Sequence, residues 1–291
     1  MTIRQQKTVR TLVEALPYIR RFSGSTIVIK YGGAAMTSRH LRDRFAADIV
    51  LLKLVGMNPV VVHGGGPEIS KHMRRLGLKV DFVDGLRVSD AATVEVARMV
   101  LIGKVNAEIV ALINGHGGTA VGLSGDDGRL LRARPKVHAD ADGTPVHLGF
   151  VGEIAEVNTE VLEVLARHMI PVLAGVGTDG RGQAYNINAD TVAGDLAAAL
   201  RAEKVIFLTD VPGLHDPLAP EEPVVSECDL ARIERLKAEG AITGGMLPKV
   251  AAARRALTAG VPSAHVIDGR VEHALLLEIL TDAGCGTKIV A

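Results

Sequence analysis

Aromatic residues and surplus charge are both scarce in this sequence of 291 residues. It has no Trp, five Phe and three Tyr, so there is little from which to build a stacking platform for single-stranded nucleic acid. The 33 Lys and Arg residues balance 33 Asp and Glu residues, which argues against a broad cationic face for nucleic acid or anionic lipid. We therefore expect neither nucleic acid nor a membrane surface among the partners.

Cysteine is nearly absent. Cys228 and Cys285 form no C-x-x-C pair, which excludes a zinc ribbon and a thioredoxin-type site. So few thiols are typical of a reducing compartment, and we expect a cytoplasmic protein. No run reaches the ~18 apolar residues of a transmembrane helix, and the first residues lack the apolar block of a secretory signal. Their Arg-rich, acid-poor character also fits a transit peptide, an alternative that composition leaves open.

Apolar residues make up 47% of the chain, which predicts a globular protein with one large domain or two lobes sharing a core. Short apolar runs such as TIVIK, VVVH and KVIFL alternate with helical patterns along most of the sequence. This alternation predicts an α/β fold, a three-layer αβα sandwich with a mostly parallel central sheet. At the N-terminus, Leu12, Val13 and Leu16 recur at helical spacing, and Pro17 should kink or break that amphipathic helix.

Glycine clusters follow two of the predicted strands directly. Lys30 is followed by Gly32 and Gly33, and His63 is followed by Gly64 and Gly65. Such loops let backbone N–H groups approach a phosphate, although a single loop of this kind is more often only a tight turn. Because the carboxyl ends of parallel strands form the ligand-binding edge of a sheet, two loops beside a lysine favour phosphate binding. No G-x-x-x-x-G-K-[ST] occurs, so the P-loop NTPase class is excluded.

Each of the other candidate polar residues has both a structural and a ligand-binding interpretation. Asn188 and Asp190 precede an Ala-rich helix, where helix capping suffices to explain them but a ligand contact is also open. Arg87 stands between apolar residues and would suit either a carboxylate ligand or a structural ion pair. Lys249 lies near a helix start, within reach of a phosphate shared with Lys30 or simply solvated. The ten histidines show no metal-ligand spacing, so we expect no metal site made by the protein.

Taken in order, the motifs resemble the amino-acid kinase family, and most closely its acetylglutamate kinases, from about residue 12 to residue 290. The resemblance is carried by IVIKYGGAAM, VVVHGGGPEI, DGLRVSD, VGLSGDDG, YNINADT, LTDVPGL, GGMLPKV and IDGRVEHALLLEILTDAGCGT. It implies the amino-acid kinase fold and transfer of the ATP γ-phosphoryl group to the side-chain carboxylate of N-acetyl-L-glutamate, a step of arginine biosynthesis. The sibling kinases share the early glycine loops, so another carboxylate or carbamate acceptor is the alternative.

The resemblance also implies roles for individual residues. Lys30 and Lys249 would contact the transferring phosphoryl group, and Asp190 would orient both lysines. Backbone donors would come from Gly32, Gly33, Gly64 and Gly65, and substrate contacts from Arg87, Asn186 and Asn188. Asp210 and Met246 would lie at the nucleotide with Lys249, and Mg²⁺ would arrive with ATP. Residues 25–291 would form the kinase domain, with acetylglutamate bound by residues 25–185 and ATP by residues 186–291.

Both ends of the chain resemble the arginine-inhibited members of that family. Residues 1–24 would form the kinked helix that interlaces dimers into a homohexamer, a trimer of dimers. L-Arginine would bind between this helix and the C-terminal segment, with Glu278 and Gly284 as contacts. A PII-type regulator is a possible further partner by the same resemblance. A protein of this fold that kept arginine binding but lost catalysis is a second reading, opposed by the intact Lys30, Asp190 and Lys249.

Overall fold

The computed structural model describes residues 3–139, 143–219, 221 and 224–291. Its ten α-helices are α1 (Ile3–Phe22), α2 (Arg39–Leu54), α3 (Gly66–Arg75), α4 (Ala91–Arg98), α5 (Ala107–Gly115), α6 (Glu160–Leu165), α7 (Ala189–Ala199), α8 (Leu230–Ala238), α9 (Met246–Thr258) and α10 (Ala274–Leu280). A π-helical segment, Met99–Asn106, joins α4 to α5, and short 3₁₀ turns occupy Gly33–Met36 and Asp127–Arg129.

The strands are short. They are β1 (Thr26–Tyr31), β2 (Asn58–His63), β3 (Phe82–Val83), β4 (Leu86–Arg87), β5 (Ala120–Leu123), β6 (Leu131–Pro135), β7 (His138–Ala139), β8 (Pro145–Val146), β9 (Val151–Val157), β10 (Ile170–Ala174), β11 (Val176–Thr178), β12 (Ala184–Ile187), β13 (Lys204–Thr209), β14 (Glu227–Asp229), β15 (Ser263–Asp268) and β16 (Gly286–Val290). Most strands of the central sheet alternate with helices, whereas β5–β9 and β10–β12 follow one another without an α-helix between them.

Eight strands form the central sheet, in the order β14-β16-β15-β13-β1-β2-β10-β5. All neighbouring pairs are parallel except β15 and β16, which run antiparallel. The prediction of a mostly parallel sheet is confirmed, and the reversal of direction between β15 and β16, next to the edge strand β14, was not predicted. Strands β6, β9, β11 and β12 close into a small separate barrel beside this sheet.

Alternation of side chains along β1 explains why the sheet needs helices on both faces. Val28 belongs to a core cluster with residues of α7 and α9, whereas Ile27 and Ile29 belong to a second cluster with residues of α2, the π segment and α10. All three side chains are fully buried. Because successive strand residues point to opposite faces, this continuous apolar run produces the three-layer αβα sandwich that the sequence predicts.

Two local expectations meet a different outcome. Helix α1 continues through Pro17 to Phe22, so the proline does not break it; the kink stays a prediction. The apolar stripe of α1 is exposed, with Leu12 65% and Val13 57% accessible. The apolar spacing also predicts one helix from about residue 90 to 113, with Ser89 or Asp90 as its cap. Asp90 is the cap, but the helix passes through the π-helical segment Met99–Asn106. A π turn is wider than an α turn and is not distinguished by apolar periodicity.

Candidate active site

The carboxyl ends of β1, β2, β10 and β13 meet at one edge of the sheet and open into a cleft of about 890 Å³. In this register Tyr31 lies beside His63, and His63 lies beside Ala174, so both glycine loops leave the sheet side by side. The cleft is lined by most of the residues singled out in the sequence: Lys30, Gly32, Gly33, Gly64, Gly65, Arg87, Asn186, Asn188, Asp190 and Asp210.

One buried carboxylate at the base of the cleft contacts two lysines. Asp190 Oδ1 is 3.3 Å from Lys30 Nζ, and Asp190 Oδ2 accepts a hydrogen bond of 3.1 Å from Lys249 Nζ. All three residues are buried. Burial lowers the pKa of Lys249, the charge of Asp190 raises it, and the charge of Lys30 lowers it further. Because two lysines face one carboxylate, the formal charge of this trio is positive. A bound anion could compensate the lysines for the hydration that they lose on burial.

Local structure explains how Asp190 reaches both lysines. Asn188 caps α7, since its side chain accepts hydrogen bonds from the backbone N–H groups of Asp190 at 2.8 Å and Thr191 at 3.2 Å. The capping interpretation of Asn188 is thus confirmed, and Asp190 lies in the first turn with its carboxylate directed to the lysines. Lys249 is held by a second hydrogen bond of 3.2 Å to the carbonyl oxygen of Gly245.

Close packing of α7 on α9 sets the distance between Asp190 and Lys249. A Cβ atom at Gly194 would lie only 2.6 Å from the backbone carbonyl oxygen of Ala252. Gly194 is one helical turn after Asp190, and Ala252 is nearly one turn after Lys249, so this contact lies directly beside the ion pair. The sequence pattern of an Ala-rich helix concealed this requirement, because glycine within it looked like one more small residue.

The four predicted glycines differ in which atoms a side chain would meet at each position. A Cβ at Gly32 would lie 2.3 Å from Lys30 Nζ, and one at Gly33 would lie 2.2 Å from Asp210 Oδ1. Gly33 also has a φ of +67°, a conformation that favours glycine. A Cβ at Gly65 would lie 2.6 Å from a methyl carbon of Leu101, whereas Gly64 has ordinary space around it. Gly32 and Gly33 therefore let charged side chains approach the backbone, and Gly65 lets Leu101 pack against it.

Arg87 is a buried cation at the opposite wall of the cleft. Its guanidinium donates to the carbonyl oxygen of Gly66 at 2.9 Å and to Ser70 Oγ at 2.8 Å, and it lies 4.7 Å from the centroid of the Phe82 ring. Burial lowers its pKa, and the charge of Arg74 lowers it further. Within residues 3–139, 143–219, 221 and 224–291 no carboxylate forms an ion pair with it. Such an arginine is suited to an anionic ligand.

The remaining predicted contacts divide between the cleft and its surroundings. Asn186 lies on β12 and is half-buried in the cleft wall, and Asp210 follows β13 beside Gly33. Met246 and Lys249, both on α9, are not among the lining residues; Met246 packs against the core instead. Several residues that line the cleft were not predicted from the sequence. Among them are Arg42, Lys104 and Glu108, which form a chain of ion pairs at the cleft wall.

Glu278 and Gly284 lie in a different buried cluster. Glu278 Oε1 is 2.5 Å from His265 Nδ1, and its Oε2 accepts a hydrogen bond of 2.7 Å from the backbone N–H of Cys285. Burial raises the pKa of Glu278, but these hydrogen bonds together with the charges of His265 and Lys204 leave it lowered. Gly284 has a φ of +61°, and a Cβ there would lie 2.9 Å from Glu278 Oε2. The two predicted residues are therefore in direct contact with each other.

This cluster and the cleft lie at opposite ends of strand β13. His265 Nε2 is 3.1 Å from Lys204 Nζ, and Lys204 is the first residue of β13, whereas Asp210 follows its last. At about 3.3 Å per residue the two ends of β13 are roughly 16 Å apart. Lys204 Nζ also lies 5.0 Å from the ring centroid of Phe22, the last residue of α1. The end of α1 therefore borders the cluster that contains Glu278.

Neither a cluster of metal ligands nor a membrane-spanning helix is found among the described residues. Across the described ranges, no group of three His, Cys, Asp or Glu side chains is arranged to hold a metal ion. In the same part of the chain, no helix combines the length and the apolar character needed to cross a membrane.

Comparison with known proteins identifies the family. The model of the amino acid kinase family matches residues 25–268. The acetylglutamate kinase of Geotalea uraniireducens is 56% identical over 96% of this chain and 97% of its own, and that of Methanothrix thermoacetophila is 52% identical over 97% and 98%. Among solved structures, N-acetylglutamate synthase from Neisseria gonorrhoeae, complexed with coenzyme A and N-acetyl-glutamate, superposes with a TM-score of 0.84 at 26% identity. That match covers 97% of this chain and 63% of the synthase. The two curated relatives named above are acetylglutamate kinases, and the chain belongs to the amino acid kinase family.

Proposed function

We propose that this protein transfers the γ-phosphoryl group of ATP to the side-chain carboxylate of N-acetyl-L-glutamate, giving N-acetyl-L-glutamyl 5-phosphate for arginine biosynthesis. The observation that carries the proposal is the pair of lysines bridged by Asp190 in the cleft, at 3.3 Å and 3.1 Å. The names of the curated relatives support the same acceptor.

The reaction needs positioned positive charge more than acid–base catalysis. A glutamate side chain with a reference pKa of about 4.3 is already ionised at neutral pH, so no general base is required. The difficulty lies in bringing two anions together and in stabilising the charge on the transferring phosphoryl group. That stabilisation is supplied, without reorganisation, by Lys30 in the cleft wall, by Lys249 bound to the same carboxylate, and by backbone N–H groups from the two glycine loops.

Each part of the trio has a distinct task in this proposal. Lys30, at the end of β1, contacts the phosphoryl group from the acceptor side, and Lys249, on α9, contacts it from the nucleotide side. Asp190 keeps both ammonium groups oriented and partly neutralises their mutual repulsion. Gly32, Gly33, Gly64 and Gly65 donate backbone hydrogen bonds to the phosphoryl group and the reacting carboxylate.

The two substrates would approach from opposite sides. Arg87 binds the α-carboxylate of acetylglutamate, because a buried arginine without an internal carboxylate partner gains most from an anion. Asn186 contacts the same substrate, and Asn188 contributes its amide N–H₂ group, since its oxygen caps α7. Asp210, Met246 and Lys249 serve the nucleotide. Residues 25–185 thus bind mainly acetylglutamate, and residues 186–291 mainly ATP.

Kinases of this family use ATP with a divalent metal, and we propose Mg²⁺. Both oxygens of Asp190 already face lysines, so the side chain that lies nearest the reaction is poorly suited to hold a cation. The ion would be coordinated mainly by the phosphates of ATP, with its charge offsetting theirs.

The activity is tested by ADP release from Mg-ATP with and without N-acetyl-L-glutamate. Release that depends on acetylglutamate supports the proposal, and release that depends on a different acceptor, or no release at all, contradicts it. Lys249→Ala should lower kcat by about 10²–10³, the scale of removing a preorganised electrostatic contact. The matched control is Lys237→Ala, since Lys237 is an exposed lysine on α8 paired with Glu234, and its loss should leave kcat unchanged.

We also propose feedback inhibition by L-arginine at the cluster around Glu278 and Gly284. The buried carboxylate of Glu278 matches a guanidinium or an amino group, and Lys204 places the cluster against Phe22 at the end of α1. Bound arginine would donate hydrogen bonds to Glu278 in place of those that Glu278 accepts within the protein. A catalytically idle arginine sensor would show an arginine-dependent rise in melting temperature without ADP release.

The exposed stripe of α1 would form the contact between dimers in a homohexamer. Its apolar side chains are about half or more exposed, namely Val9, Leu12, Val13 and Leu16. A cytoplasmic location and a PII-type regulator complete the proposal. Deleting residues 1–23 should convert hexamers to dimers in light scattering and weaken inhibition by arginine. A truncated protein that remains hexameric would refute the role of α1.

A further inference from the structure

His63, the last residue of β2, is fully buried between the second glycine loop and the π segment. Its Nδ1 is 2.9 Å from the carbonyl oxygen of Gly64, and its Nε2 is 3.0 Å from Asn106 Nδ2. A carbonyl oxygen can only accept, so Nδ1 must carry the proton and donate it to Gly64. Nε2 is then a bare acceptor for the amide of Asn106. Burial lowers the pKa of His63 to about 4, which keeps the ring neutral.

Asn106, the last residue of the π segment, is held in one orientation. Its Nδ2 donates one hydrogen to His63 Nε2 and the other to the carbonyl oxygen of Val172 at 2.8 Å. Its oxygen lies against Gly122, where a Cβ would be only 2.0 Å away. Exchanging the amide oxygen and nitrogen would place an acceptor against two acceptors, so this network permits a single arrangement.

The hydrogen bond to the carbonyl of Gly64 has a consequence for Gly65. The two groups belong to one peptide unit, since the carbonyl of Gly64 and the N–H of Gly65 flank the same bond. All described peptide bonds are trans, so the two groups point in opposite directions. With its carbonyl bound to the ring of His63, this peptide turns the N–H of Gly65 away from His63. Gly65 lines the cleft, and within the described residues no backbone acceptor takes its N–H.

The π segment also restrains this loop by packing. A Cβ at Gly65 would lie 2.6 Å from Leu101 and 3.3 Å from Val105, both residues of the π segment and both in the cleft wall. The loop is therefore fixed on one side by side-chain packing and on the other by the hydrogen bond from His63. π turns occur frequently at functional sites, and here the turn supplies Asn106 as well as the two packing residues.

We infer that His63 and Asn106 are positioning residues for phosphoryl transfer, which fix the Gly64–Gly65 peptide so that the N–H of Gly65 points at the bound anion. The inference rests on the proposed function for the identity of that anion. Neither side chain touches the reacting atoms, and neither gains nor loses a proton during turnover. Their effect is to hold one backbone donor in its working direction before substrate binds.

A matched pair of substitutions separates the two hydrogen bonds of the ring. In His63→Asn the amide nitrogen occupies the position of Nδ1 and can still donate to Gly64, whereas in His63→Gln the amide reaches the position of Nε2 and cannot. Both lose the ring, so their stabilities should be similar. We expect His63→Gln to lower kcat about 10²-fold, the effect of losing one preorganised donor, with KM for ATP little changed. His63→Asn should retain most of kcat. Equal kcat values in the two variants would overturn the inference.

The tautomer of His63 gives a readout that does not depend on turnover. In the ¹⁵N-histidine-labelled full-length protein, the resonances absent from His63→Asn identify the ring. We expect the neutral form protonated at Nδ1, and Asn106→Asp should protonate the ring or move the proton to Nε2. A wild-type ring protonated at Nε2 would overturn the inference. Wild-type protein without acetylglutamate-dependent ADP release would refute the proposed function alone, and the tautomer would still decide the positioning claim.

Discussion

Replacing Asp190 by Asn should destabilise the protein through two lysines rather than one. The substitution keeps the shape of the side chain but removes the charge that faces Lys30 at 3.3 Å and Lys249 at 3.1 Å. Breaking one buried ion pair by removing a partner costs about 3–5 kcal/mol. Because the cleft admits some water, we expect a loss near the lower value, about 3 kcal/mol. At roughly 2–4 °C per kcal/mol, the melting temperature should fall by about 6–12 °C.

The assay is thermal unfolding followed by circular dichroism, with Asp195→Asn as the control. Asp195 lies on the same helix and pairs with Arg255 at 2.7 Å, but the side chains are 20% and 44% exposed. A pair this exposed contributes about 0–1 kcal/mol, so the control should shift the melting temperature by no more than about 4 °C. Equal shifts in the two variants would show that the bridge between Lys30 and Lys249 does not stabilise the fold.

The charge loss also predicts a pH dependence. Without Asp190, the carboxylate charge that raises the pKa of Lys249 is gone, so burial and the charge of Lys30 should depress that pKa further. A lysine whose folded pKa lies below its unfolded value binds fewer protons when folded, so stability rises with pH up to about 10.5. Between pH 7 and 9 the deficit of Asp190→Asn relative to wild type should therefore shrink. A deficit that stays constant over this range would contradict the electrostatic origin of the loss.

Three further predictions concern packing, substrate binding and acid stability. Gly194→Ala should push α7 away from α9, because the new Cβ would lie 2.6 Å from the carbonyl oxygen of Ala252. We expect the free energy of unfolding to fall by about 1–3 kcal/mol and kcat to fall as well, and urea unfolding that matches wild type would contradict this. Arg87→Lys should raise KM for acetylglutamate by at least about tenfold and leave KM for ATP unchanged in steady-state kinetics, since an ammonium cannot bind a carboxylate in two places. The pKa of His63 is about 4 in the folded protein and has the ordinary value of 6.5 in the unfolded chain. Between pH 6.5 and 4 the unfolded chain therefore binds more protons than the folded protein, and stability falls as pH falls. Urea titrations should show His63→Asn losing less stability than wild type between pH 6.5 and 4.5, and equal losses would contradict the neutral buried ring.

Sequence patterns predicted the layers and the site edge because both follow from local rules. Continuous apolar strands such as β1 need cover on both faces, and glycine loops after β1 and β2 must share an edge once those strands are parallel. Lys30 and the glycines could thus be placed near one another from the sequence pattern, whereas the place of Asp190 beside the lysines was implied by the family resemblance. Their specific roles came from the family resemblance, since a lysine beside a glycine turn is common in unrelated proteins.

What the sequence did not reveal depends on contacts between distant segments. The π segment looks like an ordinary amphipathic helix, because a wider turn changes apolar periodicity over only eight residues. The antiparallel strand β16 is short and was absorbed into the C-terminal motif. The requirement for Gly194 arises from a carbonyl 58 positions away, at Ala252, which no local pattern encodes. The sequence places His63 before a glycine loop but does not indicate its partners, which make it a donor to the carbonyl of Gly64 and an acceptor from Asn106.

The central claim, phosphorylation of the side-chain carboxylate of acetylglutamate in this cleft, is tested most directly by trapping the product. Hydroxylamine converts an acyl phosphate to a stable hydroxamate, which can be measured for wild type and Lys249→Ala with acetylglutamate, glutamate, aspartate or carbamate as acceptor. We predict hydroxamate formation with wild type and acetylglutamate, and a loss of about 10²–10³ in Lys249→Ala. Formation with another acceptor but not with acetylglutamate, or equal formation by the variant, would contradict the account.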